Sequence, residues 1–457
     1  MDASTSGARA LGTRPLGWLV WKSCSQATLS VAVYGIYAVS NAWFVVRGVG
    51  TDALAAVSLV SPVLLILGAI GATVGAGGAS LVSRCLGAND GAGASRAAGN
   101  ALAVFWASAL AVSLVGLLAI EPLLTALGAR PESRDLARTY AVVILAGSVT
   151  ATGFSSLVRA EGRMRFSTML WVVPVIVHIA LDPLLIFELK LGVLGAALGT
   201  VGGQAVSAAM GIWFFFVQPN RPYRIGVADL RPRRSTVAAI LAIGAPSLLA
   251  GLGGTLSALL VNSMLAAAGG TVAVAAYAIC ARFQTLLTVP QVGITMGLQP
   301  IVGYSVGAGL LPRARQALAI CLRAMMAYGV FIVGGTTLFA VHLAAAFTDN
   351  RTVTETAETA LRIMSVSFAM GGITTLISAY FQALGRVGPA YAILIGSYVV
   401  FKIPLIFIIG QAGPMGVWFG LSAGELASLL FAFFLLSRVG HYSPTLHRRP
   451  IFGAARR

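Results

Sequence analysis

Asp182 stands inside an apolar run covering about residues 167–189, with Pro183 directly after it and His178 four positions before it. An ionised carboxylate in such surroundings is costly, so it must pair, take up a proton or face water. Pro183 cannot donate a backbone hydrogen bond, which frees the carbonyl of Ile179 and favours a kink. A freed carbonyl beside a carboxylate is a cation ligand of the kind that broken membrane helices offer. The four-residue spacing puts His178 and Asp182 on one helix face, where an imidazole can bond the carboxylate and carry a proton at physiological pH. These residues suit binding and release of a cation or proton. The competing reading is a structural carboxylate bonded to a neighbouring helix.

Other polar side chains interrupt apolar runs. Tyr34, Tyr37 and Asn41 recur at spacings of three and four and share a face. Tyrosines on such a stripe can hold a cationic aromatic ligand, although Tyr34 also reads as ordinary packing. Gln204, Gln299 and Gln382 each need a hydrogen-bond partner or cavity water, so cleft lining and interhelical bonding both fit. Lys402 lies near the middle of the eleventh apolar run, two residues before Pro404. Snorkelling to an interface would span about ten residues at 1.5 Å each, so it must pair, lose its proton or reach a cavity. Apart from the exterior Asp349, Glu355 and Glu358, Glu425 is the one acid of the later apolar runs. No P-loop or HExxH pattern occurs, which argues against direct use of ATP, and no cluster of catalytic groups marks an enzyme. The four cysteines, Cys24, Cys85, Cys280 and Cys321, lack metal-ligand spacing and read as buried thiols. No metal site or cofactor is expected beyond a coupling ion, H+ or Na+.

The elements that hold these residues are membrane helices. Of the 457 residues, 58% are hydrophobic and 10% charged, against about 25% charged in a soluble domain. The mean hydropathy is +0.88. Apolar runs fall at about 24–46, 53–83, 97–120, 136–160, 167–189 and 191–217, then at 235–268, 271–307, 314–346, 355–384, 388–410 and 414–438. Backbone satisfaction in lipid makes each a helix. The predicted organisation is a tail over 1–23, a first lobe over 24–217, a basic linker over 218–234, a second lobe over 235–438 and a basic tail over 439–457. No cleavage signal precedes the first run, which is kept as a helix of the mature protein.

The net charge of +17 is dispersed over short loops rather than gathered on one face, which excludes nucleic acid as a partner. With both termini cytoplasmic, the outer loops carry Arg47, Arg130, Arg134, Arg138, Lys190, Arg351 and Arg362. The inner segments then carry roughly three times as many, as the positive-inside rule requires. The two halves also repeat. Gly50-Thr51 through Ala56 matches Gly270-Thr271 through Ala276, Gly77 and Gly87 match Gly297 and Gly307, and Pro183 matches Pro404, all at a spacing of about 220 residues. Six helices per half give an all-α polytopic membrane protein of two pseudo-twofold-related lobes, able to rock about a central cleft.

Asn41-Ala42-Trp43-Phe44-Val45 with Gly50-Thr51-Asp52-Ala53-Leu54-Ala55-Ala56, then Leu81-Val82-Ser83-Arg84, resemble the opening helices of the multidrug and toxic compound extrusion (MATE) transporters. Arg159-Ala160-Glu161-Gly162-Arg163, Leu181-Asp182-Pro183-Leu184 and Gly195-Ala196-Ala197-Leu198-Gly199-Thr200 are similar to that family's fourth-to-sixth helix segments. Gln299-Pro300-Ile301-Val302-Gly303-Tyr304 and Phe381-Gln382-Ala383-Leu384-Gly385-Arg386 resemble its second-half hallmarks. The resemblance covers about 24–438. It implies a secondary active efflux transporter that exports amphipathic, often cationic, small molecules by cation antiport, as a monomer in lipid, in a bacterial inner membrane. It also implies a cation site at Asp182 with Thr200. Two departures bear on the coupling ion: Asn41 stands where the family commonly has aspartate, and His178 where it has asparagine. A lone carboxylate with a histidine suits protons better than sodium. The alternative reading is a lipid-linked precursor flippase of the wider two-lobed superfamily. Those proteins gather arginines centrally, whereas the intramembrane cations here are Arg282 and Lys402.

Overall fold

The computed structural model describes residues 3–129, 131–150 and 153–440. Arg130 and the basic tail from residue 441 onward lie outside the described residues. Among those described, the chain is helical throughout with no strand, and ten helices are long and apolar enough to cross a bilayer.

The spans follow the apolar runs. The first three are Leu16–Gly48, Thr51–Gly87 and Gly91–Leu118. The fifth and sixth are Met164–Glu188 and Gly192–Val217. The helical stretch Arg234–Gly307 holds 74 residues, where about 20 cross a ~30 Å hydrocarbon core. It breaks at Gly270, whose φ of 60° and ψ of −152° suit only a residue without a Cβ, giving the seventh and eighth spans. The ninth to twelfth are Leu311–Ala345, Arg351–Leu384, Val387–Gly410 and Pro414–Gly440.

The fourth span departs from expectation. The run over 136–160 reads as one helix, but the structure has Pro131–Ala146, a tight turn over Ser148–Thr150, and a separate helix Phe154–Ala160. Hydroxyls cause part of the interruption. Thr150 Oγ1 donates to the Gly147 carbonyl at 2.7 Å in competition with the helix ladder, while Ser148 Oγ reaches across to the Ala109 carbonyl of the third span at 3.0 Å.

Two prolines, Pro183 and Pro404, lie beside a widened turn. The helix holding Asp182 ends at Pro183 and continues as a π-helical turn over Leu184–Glu188. In the eleventh span the π-helical segment is Gly396–Lys402, just ahead of Pro404. Such turns absorb a missing backbone bond and often mark functional positions.

Two compact units result. One holds residues 3–14, 29–245 and 303–309; the other holds 15–28, 246–302 and 310–440. The first packs Val45, Ala56, Val60, Tyr140, Ile144, Ile186 and Ala196 into a dense core. The second packs Val261, Leu265, Ala276, Ile332, Phe368, Ile406 and Trp418. Leu65, Val115, Phe331, Leu338 and Leu430 stand exposed, as lipid-facing side chains do. All four cysteines are buried and free.

The linker after the sixth span is largely exposed but anchored at several points. Asn100 donates to the carbonyls of Asp229, at 2.8 Å, and Arg231, and accepts from the Arg233 N–H at 2.7 Å. Arg221 forms a buried ion pair with Glu161. Outside the spans, Arg134 and Arg138 hold the exposed Glu121 carboxyl below its ordinary value.

Candidate functional site

Two clusters of polar side chains sit inside the spans, one in each unit. In the first, Asp182 is fully buried at the end of the α-helical part of the fifth span. One turn earlier, His178 is 1% exposed and brings Nε2 to 3.4 Å from Asp182 Oδ1. That approach makes no hydrogen bond: neither carboxylate oxygen has a partner, nor does His178 Nδ1. A buried polar atom without a partner forfeits its hydration, so these three are poised to accept a proton or cation.

Neighbouring spans hold the histidine rather than the acid. Asn41 Nδ2 lies 3.2 Å from His178 Nε2, and Thr200 Oγ1 lies 3.5 Å from the same nitrogen. Tyr37 Oη is 3.4 Å from Thr200 Oγ1, and the Tyr37 ring meets the imidazole edge-on at 4.6 Å. Tyr34 stacks on Tyr37 at 5.5 Å and meets Trp171 edge-on at 5.7 Å. Tyr34 is 53% exposed, so the aromatic group opens from the buried acid toward an accessible face. The sixth span comes close because residue 199 is glycine, where a Cβ would collide with Asp182 Oδ1.

The predicted Asp182, His178, Asn41, Thr200, Tyr37 and Tyr34 are therefore brought together. Gln204 is half-buried and joins none of these contacts. Sequence reasoning missed Trp171, which lies seven residues before His178, two helical turns away on the same face. It also missed Tyr140, buried against Thr200 from the fourth span, for which no local spacing gave a signal.

The second cluster surrounds a cavity of about 290 Å³ within the second unit. Lys402 and Glu425 form a buried ion pair across the eleventh and twelfth spans, and the Lys402 ammonium lies 4.5 Å from the centre of the Tyr398 ring. Both residues stood out in the sequence; their pairing did not. The wall opposite includes Gln284, Thr288, Gln291 and Thr295, spaced four, three and four along the eighth span. That polar stripe was legible and went unread. Gln291 Nε2 donates to the Phe368 carbonyl at 2.8 Å, which fixes the amide. Gln299 is half-buried and outside the cavity lining. Gln382 is buried and accepts from Ser247 Oγ at 3.2 Å, so interhelical bonding describes it. Among the described residues no group of three His, Cys, Asp or Glu side chains forms a metal site.

The sequence model of the family described as MatE matches residues 27–184 and 246–408. The multidrug export protein MepA of Staphylococcus aureus is 29% identical over 424 residues, covering 90% of this chain and 92% of that protein. A FAD transporter of Shewanella oneidensis is 26% identical, covering 87% and 89%. Among solved structures, an outward-facing multidrug resistance MATE transporter of the MOP superfamily is similar with a TM-score of 0.86 at 25% identity, covering 95% of this chain and 98% of that one. A MOP superfamily transporter from Pyrococcus furiosus, described as having a binding pocket of reverse polarity, is similar with a TM-score of 0.87 at 25% identity over the same shares.

Proposed function

The chain belongs to the MatE family, and from that premise we propose that it exports amphipathic, cationic small molecules by antiport against protons, with Asp182 as the coupling acid. One observation carries the choice of ion: the Asp182 carboxylate is buried with both oxygens unpartnered, beside an imidazole nitrogen 3.4 Å away. A proton needs one such oxygen. A hard metal cation needs a cage of oxygen ligands. Here Asn41 and Thr200, which could have supplied them, are turned to the histidine.

The mechanism is competition for one charge. With Asp182 ionised, a cation resting on Tyr34, Tyr37 and Trp171 gains both ring quadrupoles and the nearby carboxylate. With Asp182 protonated, that attraction goes. Each protonation state then favours a different conformation, which is what a two-state antiporter requires. A tenfold proton gradient supplies about 1.4 kcal/mol per proton. The loop charges support both termini on the cytoplasmic side of a bacterial cell membrane, and the chain acts as a monomer.

Proteoliposomes loaded with a fluorescent cation test this directly. An imposed pH gradient drives substrate movement at equal sodium, and Asp182→Asn abolishes the response. Transport driven by sodium alone at fixed pH contradicts the proposal.

A further inference from the structure

The Lys402–Glu425 cavity does chemistry that a cation exporter's acid site does not require. Two buried polar atoms on its wall have no partner: Glu425 Oε1, on a residue 6% exposed, and Ser257 Oγ, on one 7% exposed. Glu425 uses only Oε2 to hold Lys402. The lysine ammonium has three N–H groups. One faces Glu425 and another side lies over the Tyr398 ring, and Lys402 is among the residues that line the cavity. The pair therefore holds a buried acceptor that has no partner beside an ammonium donor, with no net charge.

We propose that this cavity binds a small, net-neutral heterocycle through a lactam or imide edge. The ligand N–H donates to Glu425 Oε1, and its carbonyl accepts from Lys402. Ser257 and the amides and hydroxyls of the eighth span meet the remaining polar atoms, and Tyr277 supplies an aromatic wall. A monocation attracted to Glu425 Oε1 would sit beside the Lys402 ammonium and be repelled. A monoanion would meet the mirror problem at Glu425. A separated ammonium and carboxylate, as in an amino acid, carries full charges into a wall whose own charges already satisfy each other. The inference goes beyond the exporter reading and stands without it, because the pair lies in the other unit from Asp182.

Equilibrium binding of radiolabelled thymine to the full chain in lipid nanodiscs, without any ion gradient, tests it. Wild-type protein and Asp182→Asn bind saturably and alike. Replacing both members of the pair, Lys402→Met with Glu425→Met, leaves no buried unpaired charge and weakens binding about 10–100-fold, the effect of losing charge-assisted hydrogen bonds. Ser257→Ala, a minimal change, weakens it a few-fold. Hydantoin, which has the same edge, displaces thymine; tetraethylammonium and glycine do not. No saturable binding in the wild type, unaltered binding in the double variant, or displacement by tetraethylammonium overturns the proposal. Displacement by glycine but not hydantoin assigns the pair to a zwitterion and overturns the lactam edge. A protein that exports cations yet binds no thymine fails this inference alone; one that binds thymine but moves no cation fails only the exporter reading.

Discussion

Asp182 and Glu425 are the buried intramembrane acids of their respective units, and they keep opposite company. Asp182 has a histidine nearby and no lysine or arginine in ion-pair contact among the described residues, and both its oxygens are unpartnered. Glu425 is held by Lys402. The scaffold around them repeats: Pro183 and Pro404 correspond, and each has a π-helical turn on one side. That turn follows Pro183 but precedes Pro404, and Lys402 falls at the end of it. A duplicated frame has thus been filled with one acid that has no hydrogen-bond partner and another that is paired with a lysine. Coupling to an ion needs the first. A neutralised pair is suited to holding shape or reading a neutral ligand.

The comparison breaks most visibly if the two acids answer alike to losing their surroundings. Lys402→Met strands a buried carboxylate, and we expect a loss of about 3–5 kcal/mol in stability, read as a lower thermal midpoint in detergent. Adding Glu425→Met recovers most of it. Asp182→Asn removes a charge that had no hydrogen-bond partner, and it leaves the midpoint unchanged or higher. A smaller effect sharpens the same contrast. Gly199→Ala places a methyl against the Asp182 carboxylate, and overpacking of this kind costs about 1–3 kcal/mol. It should slow proton-driven transport roughly tenfold while leaving thymine binding untouched. Equal losses in both assays would mean that the two sites are not separate.

The sequence made the spans legible because lipid demands long apolar helices, and it exposed Asp182 with His178 because four residues is one helical turn. Spacing put Asn41 on one face with Tyr34 and Tyr37, but its place beside Asp182, like that of Thr200, was reachable through resemblance alone, since a contact between helices leaves no local spacing. The Lys402–Glu425 pair joins two adjacent spans whose members were each conspicuous. Only packing decides whether such residues meet or face separate partners. The stripe Gln284, Thr288, Gln291 and Thr295 had a clear period, but four polar residues spread over a long apolar segment leave its average hydropathy high. The break in the fourth span was hidden for a related reason: the Thr150 hydroxyl satisfies the backbone locally within an otherwise apolar run.

Proton release measured in weakly buffered detergent, as a cationic substrate is added to purified protein, tests the central claim most directly. Wild-type protein and the Lys402→Met, Glu425→Met double variant release protons on binding, and Asp182→Asn releases none. Release that persists in Asp182→Asn and disappears in the double variant would contradict the account and move the coupling site to the second unit.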